Sequence, residues 1–141
     1  MAVTSEATTI WTGDLTSGSG RTTLDSSKAA DIPMTWAARS EGVEGGSNPE
    51  ELLGAAHSAC FSMRFAGLLT ANGTPPESLQ VTAAVTFDPN VGVTGSHLLV
   101  SAKVPGIAED EFERIAEDAK ATCPVSRALT GIAITLEASL A

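Results

Sequence analysis

The 141-residue sequence has few basic residues. Eight Lys and Arg stand against 17 Asp and Glu, which gives a formal net charge of −9. Nucleic acids and anionic membrane surfaces bind protein faces rich in Lys and Arg, so neither is expected as a partner. The hydrophobic fraction of 43% is that of a globular protein. The length fits one domain that covers residues 1–141.

A secretion signal is also absent from the sequence. Residues 2–14 are polar and rich in Thr, without a basic start followed by an apolar stretch. The most apolar segment, 52–69, approaches the length of a membrane span but contains His57 and Arg64. A central Arg costs about 2.5–3.5 kcal/mol on membrane insertion. We therefore predict a buried helix in a cytoplasmic protein, with no membrane contact.

Cysteine and histidine are scarce, with two of each. Cys60 and Cys123 are too few for a disulfide scaffold. In a reducing cytoplasm, the simplest interpretation is that both are buried thiols acting as small hydrophobic side chains. The sequence contains no His-x-x-x-His or Cys-x-x-Cys pattern. We therefore expect neither a metal nor a cofactor.

The first third of the chain predicts three β-strands. They are expected over residues 3–15, 20–24 and 32–38, with the Ser- and Gly-rich loop 16–20 closing a hairpin between the first two. A glycine-rich loop at 41–47 follows the third strand.

A long helix is predicted from Pro49 to about Ala71. Asn48 is a candidate cap, Pro49 suits the first helical position, and the carboxylates at 50–51 stabilise the positive end of the helix dipole. The Asn-Gly pair at 72–73 is a typical stop.

Apolar side chains point in nearly every direction around this helix. A helix that is apolar all round must be covered all round, and one sheet covers only one side. We therefore predict that a second subunit supplies the remaining cover, in an obligate homodimer. Gly54 and Gly67 lie inside the helix, where we expect them to mark close packing.

Two strands, two helices and a final strand complete the prediction. Alternating apolar residues predict strands at 81–87 and 98–104, on either side of a turn. An amphipathic helix is expected at 107–122, a short second helix at 124–129 and a last strand at 132–140. This order of elements predicts an α+β domain.

Cys60 lies in the middle of the apolar helix. Burial alone raises the pKa of a thiol and makes it inert, so a nucleophilic Cys60 needs a nearby positive charge. Arg64 and His57 lie about one turn to either side and share its face of the helix. Arg39, just before the glycine loop, could fold back over it. Spacing alone does not choose among these three.

Cys123 directly precedes Pro124, where one predicted helix ends and another begins. If Cys123 caps the second helix, free N–H groups point at its sulfur and favour the thiolate. Such a junction suits a cysteine that moves to meet another sulfur. On local sequence alone, however, an unreactive cysteine at a helix end is the favoured interpretation.

Two segments resemble motifs of one protein family. Residues 47–63, SNPEELLGAAHSACFSM, resemble the helix signature of the OsmC/Ohr family of hydroperoxide reductases, and residues 121–126, ATCPVS, resemble its second cysteine motif. The segment WTGDL at 11–15 and the order of elements resemble the OsmC branch. The resemblance spans about 11–140. It implies an OsmC-like fold with antiparallel sheets, a long buried central helix and an intertwined homodimer.

The resemblance also implies roles for individual residues. Cys60 is similar to the peroxidatic cysteine of the family, Cys123 to the resolving cysteine, and Glu50 to a glutamate that holds an arginine over the sulfur. In the OsmC branch that arginine follows the third strand, which indicates Arg39. In the Ohr branch it lies in the first hairpin, near Arg21. Arg39 fits the flanking pattern better, and Arg64 remains a competing cation.

These roles imply a thiol-dependent peroxidase that reduces organic hydroperoxides to alcohols. Arg39, fixed by a bidentate bond to Glu50, would stabilise the Cys60 thiolate and polarise the peroxide. Attack gives a sulfenic acid, which Cys123 converts to a disulfide. A dithiol, of lipoyl type by the family resemblance, would then reduce this disulfide.

Trp36, Met34 and Phe61 are the predicted lining of an apolar substrate pocket. Such a pocket favours organic hydroperoxides over hydrogen peroxide. Two other classes of function stay open. One is a redox or stress sensor on the same fold, whose thiols report oxidation without turnover. The other is a cysteine hydrolase using Cys60 and His57, for which the sequence offers no recognisable orienting Asn or Asp.

Overall fold

Ten elements make up the fold in the computed structural model, which describes residues 1–141. In chain order they are β1 (Ala7–Thr12), β2 (Ser19–Leu24), β3 (Asp31–Met34), α1 (Trp36–Ser40), α2 (Pro49–Ala71), β4 (Ser78–Asp88), β5 (Gly92–Lys103), α3 (Glu109–Thr122), α4 (Pro124–Ala128) and β6 (Ala133–Leu140). This confirms the predicted α+β class. The chain divides into two compact units, Met1–Leu52 and Leu53–Ala141, and a single domain over 1–141 stays a prediction.

The first unit contains a three-stranded antiparallel sheet in the order β1-β2-β3, followed by α1. Strand β1 covers only the middle of the predicted segment 3–15. The hairpin loop after it requires glycine at two positions. Gly13 has a φ of 92°, and a Cβ on Gly18 would collide with the carbonyl oxygen of Asp14.

The strand predicted at 32–38 is wrong in its second half. Strand β3 ends at Met34, and α1 begins two residues later at Trp36. The Thr35 hydroxyl accepts a hydrogen bond from the Ala38 N–H at 3.1 Å and so caps α1. This local cap overrides the apolar pattern that suggested a strand. Trp36 and Arg39 are therefore carried by a short helix.

Helix α2 begins and ends where the sequence predicts. The Asn48 Oδ1 accepts a hydrogen bond from the Glu51 N–H at 2.8 Å, as expected of a cap. At the other end, Gly73 has a φ of 84°, the left-handed conformation that commonly terminates helices. The first four residues of α2 belong to the first unit and the others to the second.

The sheet of the second unit has the strand order β4-β5-β6. Strands β4 and β5 form an antiparallel hairpin, whereas β6 pairs parallel to β5, from Gly95↔Ala133 to Ala102↔Leu140. The prediction of antiparallel sheets is therefore wrong for this pair. Helices α3 and α4 form the crossover that a parallel pair requires, because a short turn cannot return the chain to the starting edge.

One core holds the second unit together. Helix α2 contributes residues at intervals of four, and α3 contributes the four residues of its buried face. The Phe65 ring lies 5.4 Å, centroid to centroid, from each of Phe61 and Phe112, in the tilted geometry that aromatic pairs favour. The buried apolar residues of the two helices are Phe61, Phe65, Leu69, Phe112, Ile115, Ala116 and Ala119.

The opposite face of α2 is exposed within the single chain. Ala55, Ala56, Ala59 and Met63 lie on it, and the Met63 side chain is 76% exposed. By length and composition α2 would suffice to cross a membrane, and 28% of its most apolar window is buried within the chain. The burial predicted for this helix is thus confirmed for one face.

The two glycines inside α2 have different surroundings. A Cβ on Gly54 would lie 2.8 Å from the carbonyl oxygen of Ala83 on β4, which confirms the predicted close packing. Within the single chain, no atom from another segment lies within 4 Å of the corresponding position on Gly67, so the close packing predicted there stays a prediction.

Alanine substitutions at these glycines should change stability in opposite directions. In the monomer, where no second subunit covers Gly67, we expect Gly67→Ala to raise the free energy of unfolding by about 0.5–1 kcal/mol, because Ala forms helix better than Gly. Gly54→Ala should lower it by about 1–3 kcal/mol, because its methyl group meets the backbone of β4. Urea denaturation of both variants checks this, and equal effects would contradict the assigned packing.

Candidate active site

The two cysteines are 63 positions apart in the sequence and meet within the second unit. Cys60 lies on α2 and is half-buried, while Cys123 lies between α3 and α4 and is buried. Their Sγ atoms are 3.0 Å apart, and both thiols are free. Because a disulfide bond is about 2.05 Å long, the sulfurs need to approach by only about 1 Å to form one.

Cys123 ends one helix and caps the next. Its N–H donates to the Ala119 carbonyl at 2.9 Å, and its own carbonyl accepts from the Arg127 N–H at 3.0 Å. Pro124 occupies the first position of α4, where no N–H is needed. The backbone on both sides therefore fixes the position of the sulfur, at the helix junction that the sequence predicts.

The two thiols have different electrostatic surroundings. Burial raises the pKa of the Cys60 thiol, and the neighbouring Cys123 adds to this effect. Burial acts in the same direction on Cys123, but the hydrogen bond with Cys60, the N–H groups of Val125 and Ser126 and the Ser126 hydroxyl outweigh it and lower the Cys123 pKa. Within this unit, negative charge is therefore favoured on Cys123, and a Cys60 thiolate needs a cation.

Arg39 and Glu50 form an ion pair within the first unit. The Arg39 Nε donates to both carboxylate oxygens at 3.2 Å, and Nη2 donates to Oε1 at 2.8 Å. The Glu50 side chain is 6% exposed and that of Arg39 is 32% exposed. Several hydrogen bonds from one guanidinium to one carboxylate fix the plane of the guanidinium. The Asn48 Nδ2 donates to the Ala38 carbonyl at 3.1 Å and so connects α1 with the start of α2.

The other two candidate arginines have different partners. Arg21 pairs with Asp31 at 2.8 Å, and both side chains are exposed. The Arg64 Nε donates to the Thr122 hydroxyl at 2.7 Å. Of the three arginines, the structure brings Arg39 together with Glu50.

An apolar cleft of about 310 Å³ lies in the first unit. The predicted residues Trp36 and Met34 line it, together with Arg39. Sequence reasoning missed Trp11 and Leu15 as further lining residues. The available signal was that both are apolar and lie in the WTGDL segment, which was used only for the family resemblance.

Phe61 does not line this cleft, contrary to the prediction. Its side chain is fully buried and belongs to the core of the second unit. The reason is its spacing: Phe61 and Phe65 are one turn apart on the inward face of α2, where both pack against the sheet and α3.

His57 is a buried polar residue in the second unit. Its Nδ1 lies 2.7 Å from the Ser96 hydroxyl of β5, and its Nε2 lies 2.8 Å from the Ser126 hydroxyl of α4. Burial lowers the pKa of the imidazole, which favours the neutral form. Both ring nitrogens are hydrogen-bonded to hydroxyls, and neither bonds to Cys60. The cysteine hydrolase interpretation therefore lacks its thiol–imidazole contact.

Sequence reasoning missed both serine partners of His57. Ser96 precedes the inward-facing Leu98 by two positions, so strand alternation places a polar residue on the buried face. Ser126 lies in the second cysteine motif. Both patterns could have marked the two serines as buried or motif residues, but neither predicts that both serines bond to His57.

The second histidine is in a different setting. His97 is hydrogen-bonded to Thr135 at 2.6 Å and to Glu137 at 2.8 Å. The structure contains no group of three or more His, Cys, Asp or Glu side chains that could hold a metal ion.

Known proteins similar to this chain define its family. Residues 42–137 match the family described as OsmC-like protein. Peroxiredoxin OsmC of Escherichia coli (strain K12) is 41% identical over 92% of each chain. Organic hydroperoxide resistance protein OhrA of Bacillus subtilis (strain 168) is 31% identical over 76% of this chain and 77% of that protein. The chain belongs to the OsmC family.

Solved structures share its fold. The organic hydroperoxide resistance protein OhrB of Bacillus subtilis has a TM-score of 0.72 at 20% identity, covering 97% of this chain and 98% of that chain. An organic hydroperoxide resistance protein from Elizabethkingia anophelis has a TM-score of 0.71 at 26% identity, covering 100% and 99%. The predicted OsmC-like fold is confirmed. The family match includes Glu50 and both cysteines, whereas Arg39 precedes it.

His57 should make stability dependent on pH. Its pKa is lowered in the folded state, so below about pH 6.5 the unfolded chain binds more protons than the folded one. The free energy of unfolding should then fall as the pH decreases, by at most about 1.4 kcal/mol per pH unit from this group. Urea denaturation between pH 7 and pH 5 measures the slope. We expect a smaller slope in His57→Gln, and an unchanged slope in that variant would contradict the assignment.

Proposed function

We propose that this protein is a thiol-dependent peroxidase that reduces organic hydroperoxides to alcohols. The observation that carries the proposal is the pair of free thiols 3.0 Å apart, in a chain whose relatives are named peroxiredoxin OsmC and organic hydroperoxide resistance protein.

In the first step, the Cys60 thiolate attacks an oxygen of the hydroperoxide. A sulfur–oxygen bond forms, the oxygen–oxygen bond breaks, and the alkoxide leaves as an alcohol after it takes up a proton. Cys60 is left as a sulfenic acid. Because burial raises the pKa of Cys60, this step requires a positive charge that stabilises the thiolate.

We propose that Arg39 supplies this charge. Its guanidinium is held by several hydrogen bonds to Glu50, whose buried carboxylate needs a cationic partner. A guanidinium retains its charge at every physiological pH, so it can stabilise a nearby thiolate. Glu50 then acts by orienting Arg39.

In the second step, the Cys123 thiolate attacks the sulfur of the Cys60 sulfenic acid. The sulfur–sulfur bond forms, the sulfur–oxygen bond breaks, and hydroxide leaves and is protonated to water. The 3.0 Å separation supports this step, which protects Cys60 from further oxidation. A dithiol must then reduce the disulfide, and we expect one of lipoyl type.

The cleft of the first unit supports an organic substrate. Trp36, Met34, Trp11 and Leu15 give it an apolar lining that would bind a hydrocarbon group. We assign this cleft to the organic part of the hydroperoxide, whereas hydrogen peroxide has no such group to bind.

A homodimer is part of the proposal. The exposed apolar face of α2, with Met63 at its centre, is of the kind that subunit interfaces cover. We further propose that residues 1–141 act as one domain in the cytoplasm.

Cysteine variants test the reaction. Wild type, Cys60→Ser and Cys123→Ser would be mixed with cumene hydroperoxide and dihydrolipoamide while peroxide loss is followed. We expect no turnover with Cys60→Ser, because the attacking thiolate is absent. Cys123→Ser should react once and stop as the sulfenic acid.

Two outcomes of this assay would contradict the proposal. Full turnover by Cys60→Ser would remove Cys60 from the mechanism. A single stoichiometric oxidation of the wild type, without turnover under any dithiol, would favour a redox sensor on the same fold.

The arginine assignment has its own test. In a Cys123→Ser background, the remaining thiol is Cys60, so its pKa can be titrated directly. Arg39→Ala should raise this pKa by about one unit or more, because a nearby cation is lost. The matched controls Arg21→Ala and Arg64→Ala should leave it unchanged. An unchanged pKa in Arg39→Ala would show that another group stabilises the thiolate.

A further inference from the structure

We propose that Arg64 and Thr122 form a clamp that holds the end of α3, and with it Cys123, beside Cys60 for disulfide formation. Both are positioning residues, because they bond to each other and to neither sulfur. The inference rests on the proposed function, because it concerns the resolving step. In that step the Cys123 thiolate attacks the sulfur of the Cys60 sulfenic acid, the sulfur–sulfur bond forms, the sulfur–oxygen bond breaks, and hydroxide leaves and is protonated to water.

The first observation is the hydrogen bond of the clamp itself. Arg64 lies four positions after Cys60 on α2, about one helical turn, and Thr122 directly precedes Cys123. The Arg64 Nε donates to the Thr122 hydroxyl at 2.7 Å, and this hydroxyl donates to the Asp118 carbonyl at 2.7 Å. The single hydroxyl hydrogen is used within α3, so the oxygen accepts from Arg64. The bond therefore joins the two backbone segments that carry the sulfurs.

The second observation is the limited apolar contact at this end of α3. The aromatic contact between the two helices, Phe65 with Phe112, lies near the start of α3. Nearer to Cys123, the fully buried residues of α3 are Ala116 and Ala119, which have short side chains. Apolar packing resists separation of the helices but is non-directional, whereas a hydrogen bond depends on distance and angle. A directional contact is therefore needed to fix the end of α3 that carries Cys123.

The clamp is the one side-chain hydrogen bond between α2 and α3. On the other side of Cys123, α4 is also bonded to α2, because the Ser126 hydroxyl lies 2.8 Å from His57 Nε2. His57 lies three positions before Cys60, and Arg64 lies four positions after it. Contacts to α2 thus flank the cysteine pair on both sides, and together they restrict rotation of the Cys123 segment about either contact.

Exposure of the clamp separates its effect from overall stability. The Arg64 side chain is exposed, and exposed polar pairs contribute little to the free energy of unfolding. Disulfide formation is more demanding, because the two sulfurs must meet within a narrow range of distance and angle. The clamp should therefore act on the resolving step. A charge effect of Arg64 on the Cys60 thiolate would instead act on the first step.

The closing experiment measures the competition between disulfide formation and overoxidation. The reduced protein is mixed with increasing concentrations of cumene hydroperoxide without a reductant, and Cys60 sulfinic acid is measured by mass spectrometry. A second peroxide molecule oxidises the sulfenic acid to sulfinic acid, and is reduced to the alcohol, unless Cys123 forms the disulfide first. The peroxide concentration that overoxidises half of the protein therefore rises with the rate of the resolving step.

Variants at both ends of the clamp should lower this concentration. Thr122→Val should lower it about fivefold, because valine keeps the shape of threonine but has no acceptor for Arg64. Arg64→Met should lower it by a similar factor, and the double variant no further, because both changes remove one bond. Thr122→Ser keeps the hydroxyl and should restore the wild-type value. The first step, followed as peroxide loss, should not change.

Thr70→Val is the matched control on α2. The Thr70 hydroxyl donates to the Ala66 carbonyl at 2.7 Å, as the Thr122 hydroxyl donates to Asp118, but no arginine bonds to it. Both valine variants lose the same bond within a helix and should lose similar free energy of unfolding in urea. Only Thr122→Val should change the resolving step. If Thr122→Val fails to fold, Arg64→Met, which changes an exposed side chain, still decides.

The equilibrium of the disulfide provides a measurement without peroxide. In mixtures of reduced and oxidised dithiothreitol, loss of the clamp should lower the equilibrium constant for the Cys60–Cys123 disulfide about fivefold, which raises its reduction potential by about 20 mV. If the wild type fails to react with cumene hydroperoxide, the proposed function fails, whereas this equilibrium still tests the clamp.

Three results would overturn the inference. The first is a Thr122→Val variant with the overoxidation and the reduction potential of the wild type. The second is a double variant in which the effects of Arg64→Met and Thr122→Val multiply, because the two residues would then act separately. The third is a slower first step in Arg64→Met with no change in Thr122→Val, which would make Arg64 a cation that acts on Cys60.

Discussion

Burial of polar side chains on α2 is the constraint on which the candidate site depends. Glu50, His57 and Cys60 all lie on this helix, and a buried polar group is costly unless another group satisfies it. Each therefore has a partner from a different element: Glu50 has Arg39 of α1, His57 has serines of β5 and α4, and Cys60 has Cys123. The elements around α2 are placed so that no such group is left unsatisfied.

Burial and local hydrogen bonds also give the two thiols different pKa values. Cys60 lies within a helix, where the backbone N–H groups are used by the helix itself, and burial raises its pKa. Cys123 lies at a helix junction, where the contact with Cys60 and the first N–H groups of the next helix, which that helix does not use, lower its pKa. The N–H of Val125 acts on both sulfurs, but on Cys60 burial and the neighbouring Cys123 outweigh it, so the Cys60 thiolate needs a cation from elsewhere. This difference fits a peroxidatic cysteine and a resolving cysteine.

Most of the fold follows from local patterns in the sequence. Asn48, Pro49 and Gly73 set the ends of α2 because caps and glycine stops act over a few residues. Apolar alternation predicted strands that overlap β4 and β5, and helical spacing predicted α3. The strand predicted at 32–38 was wrong in its second half, because the Thr35 hydroxyl caps a short helix there. The parallel pairing of β6 with β5 also escaped prediction, because strand patterns do not encode the partner or its direction.

The sequence by itself determined which residues can do chemistry, namely two cysteines, an arginine and a glutamate in motifs that resemble one family. Tertiary structure decided the distances that make the chemistry possible. In the folded chain, two sulfurs 63 positions apart in the sequence lie close together, and Glu50 pairs with Arg39. Phe61, which was predicted to line a pocket, packs in the core, and His57 is hydrogen-bonded to two serines. The physical reason is that hydrogen bonds and packing act over a few ångströms between residues that sequence spacing does not relate.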